Sequence, residues 1–235
     1  MLTRVLTVGL LAGLLAGLLV AVLQQATTAP LILAAEVYEK PAETQPAAGG
    51  SGGHHHDGHA AHDEGWKPEN GLPRFFFTSI ATVATAVGIS FLLIAGMLFA
   101  GDAIDERRSL AWAIAGFVAA GLAPAVGLAP ELPGSAVGDL VGRQIWWVGT
   151  AVATALALWM FLRAGNVLTR VVAVVVLVAP HVIGAPHPHA FESRAPAELA
   201  AHFAALSLVV QALLWAFAGI AVGLLWPRFA PRSAS

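Results

Sequence analysis

Cysteine is absent from this chain of 235 residues. A disulfide framework, a thiolate metal site and an iron–sulfur cluster are therefore excluded. Methionine occurs only 3 times, which argues against a pathway for soft Cu(I). The only lysines are Lys40 and Lys67, and neither follows a glycine, so the chain has no GxxxxGK phosphate-binding loop. Any metal ligand must be a histidine nitrogen or an oxygen of a carboxylate, a carbonyl or water.

Charged side chains are also scarce. They make up 11% of the residues, against about 25% in a typical soluble domain. Hydrophobic residues make up 57%, and the mean hydropathy is +0.75, which indicates an integral membrane protein. The net charge of −2 offers no basic surface for nucleic acid.

Six apolar runs approach or exceed the length of about 20 residues that a membrane helix needs. They predict an all-α membrane protein with about six transmembrane helices, or five if the short fifth run, which contains Pro180, does not cross. The runs cover residues 5–23, 75–100, 110–129, 145–162, 167–183 and 199–226. The predicted organisation is a first membrane helix at 1–33, a disordered extracytoplasmic loop at 34–74, a five-helix membrane domain at 75–226 and a cytoplasmic tail at 227–235.

The first run has two interpretations. It could be a cleaved signal peptide with Arg4 in its basic region, but it is longer than the usual apolar segment of a signal peptide. Gly9, Gly13 and Gly17 recur once per turn and form a face of small residues on which another helix can approach closely. This pattern favours a retained membrane helix.

The distribution of lysine and arginine predicts that both termini are cytoplasmic, because cytoplasmic segments carry the excess of these residues. In this orientation eleven of the 14 acidic residues lie outside, which favours cation binding there. Trp146, Trp147 and Trp226 are predicted to belong to interfacial aromatic belts. Seven of the 12 basic residues fall inside (Arg4, Arg107, Arg108, Arg163, Arg170, Arg228 and Arg232), and five outside (Lys40, Lys67, Arg74, Arg143 and Arg194).

The long outer loop contains a dense group of metal-ligand side chains. Its Gly-, Ala- and Pro-rich part cannot bury a core and is predicted to be disordered. Histidine-rich tracts of this kind bind divalent metals without a rigid geometry, so the loop is suited to concentrating an ion rather than to selecting it. A solvated linker or a pH-responsive patch is the alternative. The group comprises His54, His55, His56, Asp57, His59, His62, Asp63 and Glu64.

Two proline-rich segments follow membrane runs. GLAP occurs twice within residues 121–130, and Glu131 follows the second copy. A proline inside a helix frees a carbonyl, and transporters present such carbonyls to ions, although simple helix termination is the alternative. Residues 177–193 read LVAPHVIGAPHPHAFES, with Pro180 predicted to interrupt the helix just before His181. Prolines then hold His187 and His189 on extended backbone.

Glu198 and His202 are four residues apart and share one face of the sixth helix. Together with His181, His187, His189 and Glu131 they form a predicted nitrogen–oxygen site for a divalent metal. Ionisable residues in membrane segments are functional by default, but an interfacial histidine can simply reach towards water. Glu198 can also be a first-turn acid that is stabilised by the helix dipole.

Five distinctive segments occur along the chain: LQQ at 23–25, PLILAAEVYE at 30–39, GLAPELPG at 127–134, RQIWW at 143–147 and PHVIGAPHP at 180–188. In this order they resemble the CbtA family, which comprises predicted cobalt transporter subunits of bacteria. The resemblance covers nearly the whole chain. It implies an inner-membrane protein that imports Co²⁺, often for cobalamin synthesis, and a small single-span partner subunit with a His-rich end. The family is described with five spans, so the sidedness depends on whether the first and fifth runs cross.

The sequence therefore favours a subunit of a divalent-metal importer over two other classes. The transported ion is Co²⁺ by resemblance, whereas the ligand types alone suit Ni²⁺ or Zn²⁺ equally well. No prosthetic group is predicted. A membrane metal sensor or scaffold that delivers ions to another permease is the alternative. An intramembrane metalloenzyme is disfavoured because HExxH and a recognisable nucleophile frame are absent.

Overall fold

A computed structural model describes residues 1–39, 71–133, 135, 138–188 and 193–230. Within these ranges the chain is α-helical and contains no strand. The helices are α1 (Leu2–Ala26), α2 (Thr28–Glu39), α3 (Leu72–Ala100), α4 (Glu106–Phe117), α5 (Ala123–Gly127), α6 (Leu140–Arg163), α7 (Val167–Ile183) and α8 (Ala197–Arg228). A π-helical turn, Val118–Leu122, joins α4 to α5 into one continuous rod.

In the described ranges, five helical segments are long and apolar enough to cross a membrane: α1, α3, the rod Glu106–Gly127, α6 and α8. They confirm five of the six predicted spans. The remaining one, the fifth run, forms α7, which has 17 residues and a length of about 26 Å, slightly less than the ~30 Å hydrocarbon core. It packs along α6, to which it is joined by a short connection, and runs antiparallel to it.

Pro180 does not interrupt α7, so that prediction was wrong. The helix continues through Pro180 to Ile183, and Gly184 ends it with a positive φ of 87°. The Gly184 N–H donates to the Pro180 carbonyl at 3.0 Å, which closes the last turn. A proline so near the C-terminal end removes only one backbone donor, and the glycine provides the conformation that terminates the helix.

Helices α2 and α3 extend into the range 34–74, which was predicted as a loop. Helix α2 extends to Glu39, and α3 already begins at Leu72. Thr27 separates α1 from α2, and its hydroxyl donates to the Leu23 carbonyl at 2.8 Å. The short α2 contacts α1 and α8. Helix α2 is therefore anchored to the bundle.

The glycine face of α1 is where α3 packs, as the spacing predicted. A Cβ atom on Gly13 would lie 2.3 Å from the Cα of Val87, and one on Gly17 would lie 2.5 Å from the Cα of Val83. The backbones of two antiparallel helices therefore approach each other directly at these positions. Helix α1 is an integral part of the packed bundle, with eight buried residues along its length.

Helix α8 packs against α1, α3 and α4. Trp215 lies over Gly116, where a Cβ atom would be 2.2 Å from its ring. Further along the helix, a Cβ on Gly223 would lie 2.5 Å from the Cα of Glu106. These close approaches bury Trp215 and Val222 in two hydrophobic clusters that α1, α3, α4 and α8 share.

Polar contacts occur at both ends of the bundle. At one end, which we call the predicted inner end, the Arg4 guanidinium donates to the Trp226 carbonyl at 2.6 and 3.1 Å, and its carbon lies 4.0 Å above the indole of Trp226. Trp226 is itself buried at this end of the bundle. At the predicted outer end, Arg74 pairs with Glu36.

Candidate functional site

Trp146 holds the His-Pro segment (residues 180–188) to the bundle at the predicted outer end. It lies near the start of α6, and its indole N–H donates to the Pro180 carbonyl at 3.2 Å. Its ring meets the imidazole of His181 edge to face, with centroids 6.0 Å apart. The same ring covers Gly127 at the end of α5, where a Cβ would be 2.5 Å from it. One side chain therefore joins α5, α6 and α7.

The extended part of the His-Pro segment lies over the N-terminal end of α6. A Cβ on Gly138 would be 3.3–3.5 Å from backbone atoms of His187 and Pro188. A Cβ on Gly142 would make an ordinary van der Waals contact with Pro186, at 3.6 Å. The prolines restrict the backbone of the segment, and Gly138 allows it to approach closely.

Glu131 lies at the same end and is engaged by Arg143 of α6. Both carboxylate oxygens accept hydrogen bonds from the guanidinium, at 2.9 and 2.8 Å. Such a bidentate pair is geometrically specific and stronger than a neutral hydrogen bond. It ties the GLAPELPG segment to α6. The guanidinium charge offsets that of the Glu131 carboxylate, which weakens Glu131 as a ligand for a cation.

The described histidines differ in exposure. His181 is partly buried beside Trp146, whereas His187 is exposed. Glu198 and His202 are exposed on the first two turns of α8, where their spacing of four residues places them on one face. Among the described residues, no three or more His, Asp or Glu side chains form a group that could hold a metal. The predicted ligands His189, His54, His55, His56, Asp57, His59, His62 and Asp63 lie outside those residues.

A family model described as "Probable cobalt transporter subunit (CbtA)" matches residues 2–227, nearly the whole chain. The chain belongs to the CbtA family. No curated protein and no solved structure matches it. The match includes the His-Pro segment, the Glu131–Arg143 pair and Trp146, so the whole predicted outer end falls within the family.

A second polar cluster of this CbtA chain was not predicted as a site and lies at the predicted inner end. Asp102 accepts hydrogen bonds from the Trp112 indole at 2.9 Å and from Arg163 at 2.8 Å. The Arg163 guanidinium carbon lies 4.6 Å from the ring of Trp159, which in turn contacts Trp112 edge to face. The cluster borders a largely apolar cavity of about 320 Å³. Asp102 and Arg163 are 61 residues apart in the sequence, so no local pattern indicates that they pair.

Proposed function

We propose that this CbtA-family protein is the membrane-embedded subunit of an inner-membrane importer for a divalent cation, with Co²⁺ as the transported ion. The His-rich segment 54–64 captures the ion outside, and the His-Pro segment receives it at the predicted outer end of the bundle. The family match supports the cobalt assignment. The anchoring of His181 by Trp146 is the structural observation that carries the proposed route.

The membrane potential is a sufficient driving force for this task. It supplies about 2.3 kcal/mol per charge per 100 mV, hence roughly twice that for a divalent ion moving inward. The chain needs no nucleotide site of its own, in agreement with the absence of a GxxxxGK loop. Its role is that of a transporter subunit and not of an enzyme.

The family description as a subunit implies a partner protein. We propose a small single-span partner with a His-rich end, as the resemblance suggested. Histidines of such a partner could complete a ligand set at the predicted outer end, where the described residues of this chain do not supply three ligands.

Uptake of labelled Co²⁺ tests the function. Cells that lack their own cobalt importers should accumulate the label when they express this chain with its partner subunit. Excess unlabelled Co²⁺ should compete, and Ni²⁺ and Zn²⁺ should be compared at the same concentration. If the chain reaches the membrane but supports no uptake with any partner, it is a metal sensor or scaffold for another permease.

The orientation can be tested directly because the natural chain contains no cysteine. A maleimide that cannot cross the membrane should label S193C in intact cells, and should label G165C only after the cells are opened. Both residues are exposed and lie at opposite ends of the bundle, and a Cβ on Gly165 would meet no neighbouring atom. The reverse labelling pattern would place both termini outside.

A further inference from the structure

Two threonine hydroxyls in α6 are buried without a hydrogen-bond partner. Thr150 and Thr154 are both 0% exposed, and neither Oγ1 atom has a partner in the described part of the chain. They are one turn apart, on the face of α6 that also buries Ala157. In a membrane interior a buried polar group without a partner is costly, so both hydroxyls are expected to serve a ligand.

Four hydroxyls of α3 behave differently. A threonine or serine in a helix can donate back to the carbonyl four residues earlier, which satisfies it locally. Ser79, Thr82, Thr85 and Ser90 in α3 all make this bond, at 2.7–2.9 Å. Since this option is open to any helical threonine, the rotamers of Thr150 and Thr154 direct their hydroxyls away from the backbone of α6.

The π-helical turn lies at the same level as these hydroxyls. Helix α6 runs antiparallel to the Glu106–Gly127 rod and contacts its π-helical turn, Val118–Leu122. Trp146 meets Gly127, and further along, Leu158 lines one cavity together with Ala115 and Gly116. Thr150 and Thr154 lie between these two points of contact. The intervening part of the rod contains the π-helical turn.

This turn leaves a backbone carbonyl without its usual donors. In a regular helix the Ala123 N–H would bond to the Ala119 carbonyl, but here it bonds to the carbonyl of Val118. The next donor along the chain would be residue 124, which is a proline and has no N–H. The buried Ala119 carbonyl therefore loses both backbone donors that a helix could offer it. Such π-turns often coincide with functional sites.

We propose that Thr150, Thr154 and the Ala119 carbonyl bind a small monovalent cation, with Na⁺ as the probe, between α6 and the π-helical turn. Hydroxyl and carbonyl oxygens suit hard cations. The acidic residues of the described membrane helices lie in terminal turns and not at this level. Because the cost of burying an ion rises with the square of its charge, neutral ligands favour a monovalent ion over Co²⁺. The site is thus distinct from the proposed cobalt route and does not depend on it.

Thermal unfolding of the purified full-length protein in lipid nanodiscs tests the site. A ligand that binds only the folded state raises the melting temperature in a saturable way. The Tm of the wild type should rise with NaCl relative to choline chloride at equal ionic strength. The double variant T150V/T154V should lose this rise. In choline it should be at least as stable as the wild type, since valine removes two unsatisfied hydroxyls without changing the side-chain shape.

Two further variants separate binding from packing. T150S/T154S keeps both hydroxyls and should keep the Na⁺-dependent rise in Tm. T85V, at an exposed position in α3 whose hydroxyl bonds to the Ala81 carbonyl, should also keep it. A wild type whose Tm is the same in NaCl and choline chloride, or a T150V/T154V variant that retains the full rise, would overturn the proposal. Cobalt uptake is not part of this test, so neither result decides the proposed transport function.

Discussion

Replacing Gly13 with valine is expected to prevent the protein from accumulating in the membrane in folded form. The new Cβ would lie 2.3 Å from the Cα and 2.5 Å from both the N and the Cγ2 of Val87. A rotation of the Val87 side chain could relieve only the contact with Cγ2, so the collision with the backbone would remain. Overpacking a core usually costs about 1–3 kcal/mol, and a collision with backbone exceeds this because two helices must separate. Separation of α1 from α3 would also loosen α8, which packs on both.

Gly88 provides a matched control. It is the residue next to Val87 in α3, it is exposed, and a Cβ there would meet no neighbouring atom. Both variants change a helical glycine to valine in the same pair of helices. We expect G88V to give a monodisperse protein with the wild-type melting temperature and G13V to give little or none. Equal yields and melting temperatures for the two variants would show that α1 does not pack on α3 through its glycine face.

The second large effect is expected for Trp146. In W146A the indole no longer covers Gly127, donates to the Pro180 carbonyl or contacts His181. A Trp-to-Ala change at a packed position lowers the free energy of unfolding by roughly 3–5 kcal/mol. If part of this loss instead raises the activation free energy of transport, each ~1.4 kcal/mol slows uptake tenfold. Co²⁺ uptake should therefore fall by about tenfold or more at equal amounts of protein in the membrane. W146F, which keeps a ring but lacks the N–H, should be intermediate.

The neighbouring residue gives the control for this prediction as well. Trp147 is 41% exposed, and successive residues of a helix lie about 100° apart around its axis, so it occupies a different face from Trp146. W147A removes the same type of side chain from the same turn of α6 and should leave Co²⁺ uptake close to the wild-type rate. If W146A transports as well as W147A, the position of His181 against α6 is not required for transport.

The helical architecture could be predicted from the sequence because the apolar runs are long and the glycines of α1 recur once per turn. These signals are local, and the structure confirms them in α1, α3, α6 and α8. The error at Pro180 arose because a proline close to a helix end removes little hydrogen bonding, and the terminating signal was Gly184. The extent of α2 was missed because its apolar stretch is too short to be counted as a membrane span.

The residues of the candidate site were proposed from the sequence, but the contacts that position them could not be. The prolines around His187 indicated a fixed backbone, and the structure shows this segment against the start of α6. The contacts that position it depend on Trp146 and on the pairing of Glu131 with Arg143, which no periodicity or motif predicts. The unsatisfied hydroxyls of Thr150 and Thr154 likewise became visible only through their burial.

The most direct test of the central claim compares two changes at the predicted outer end by labelled Co²⁺ uptake. One variant lacks residues 53–64, and the other replaces His181, His187 and His189 with alanine; both are matched to the wild type for protein in the membrane. We predict that the deletion raises the half-saturating Co²⁺ concentration but preserves the maximal rate, whereas the triple variant abolishes uptake. Full uptake by the triple variant would contradict the account, because the ion would then reach the membrane by a route that does not involve the His-Pro segment.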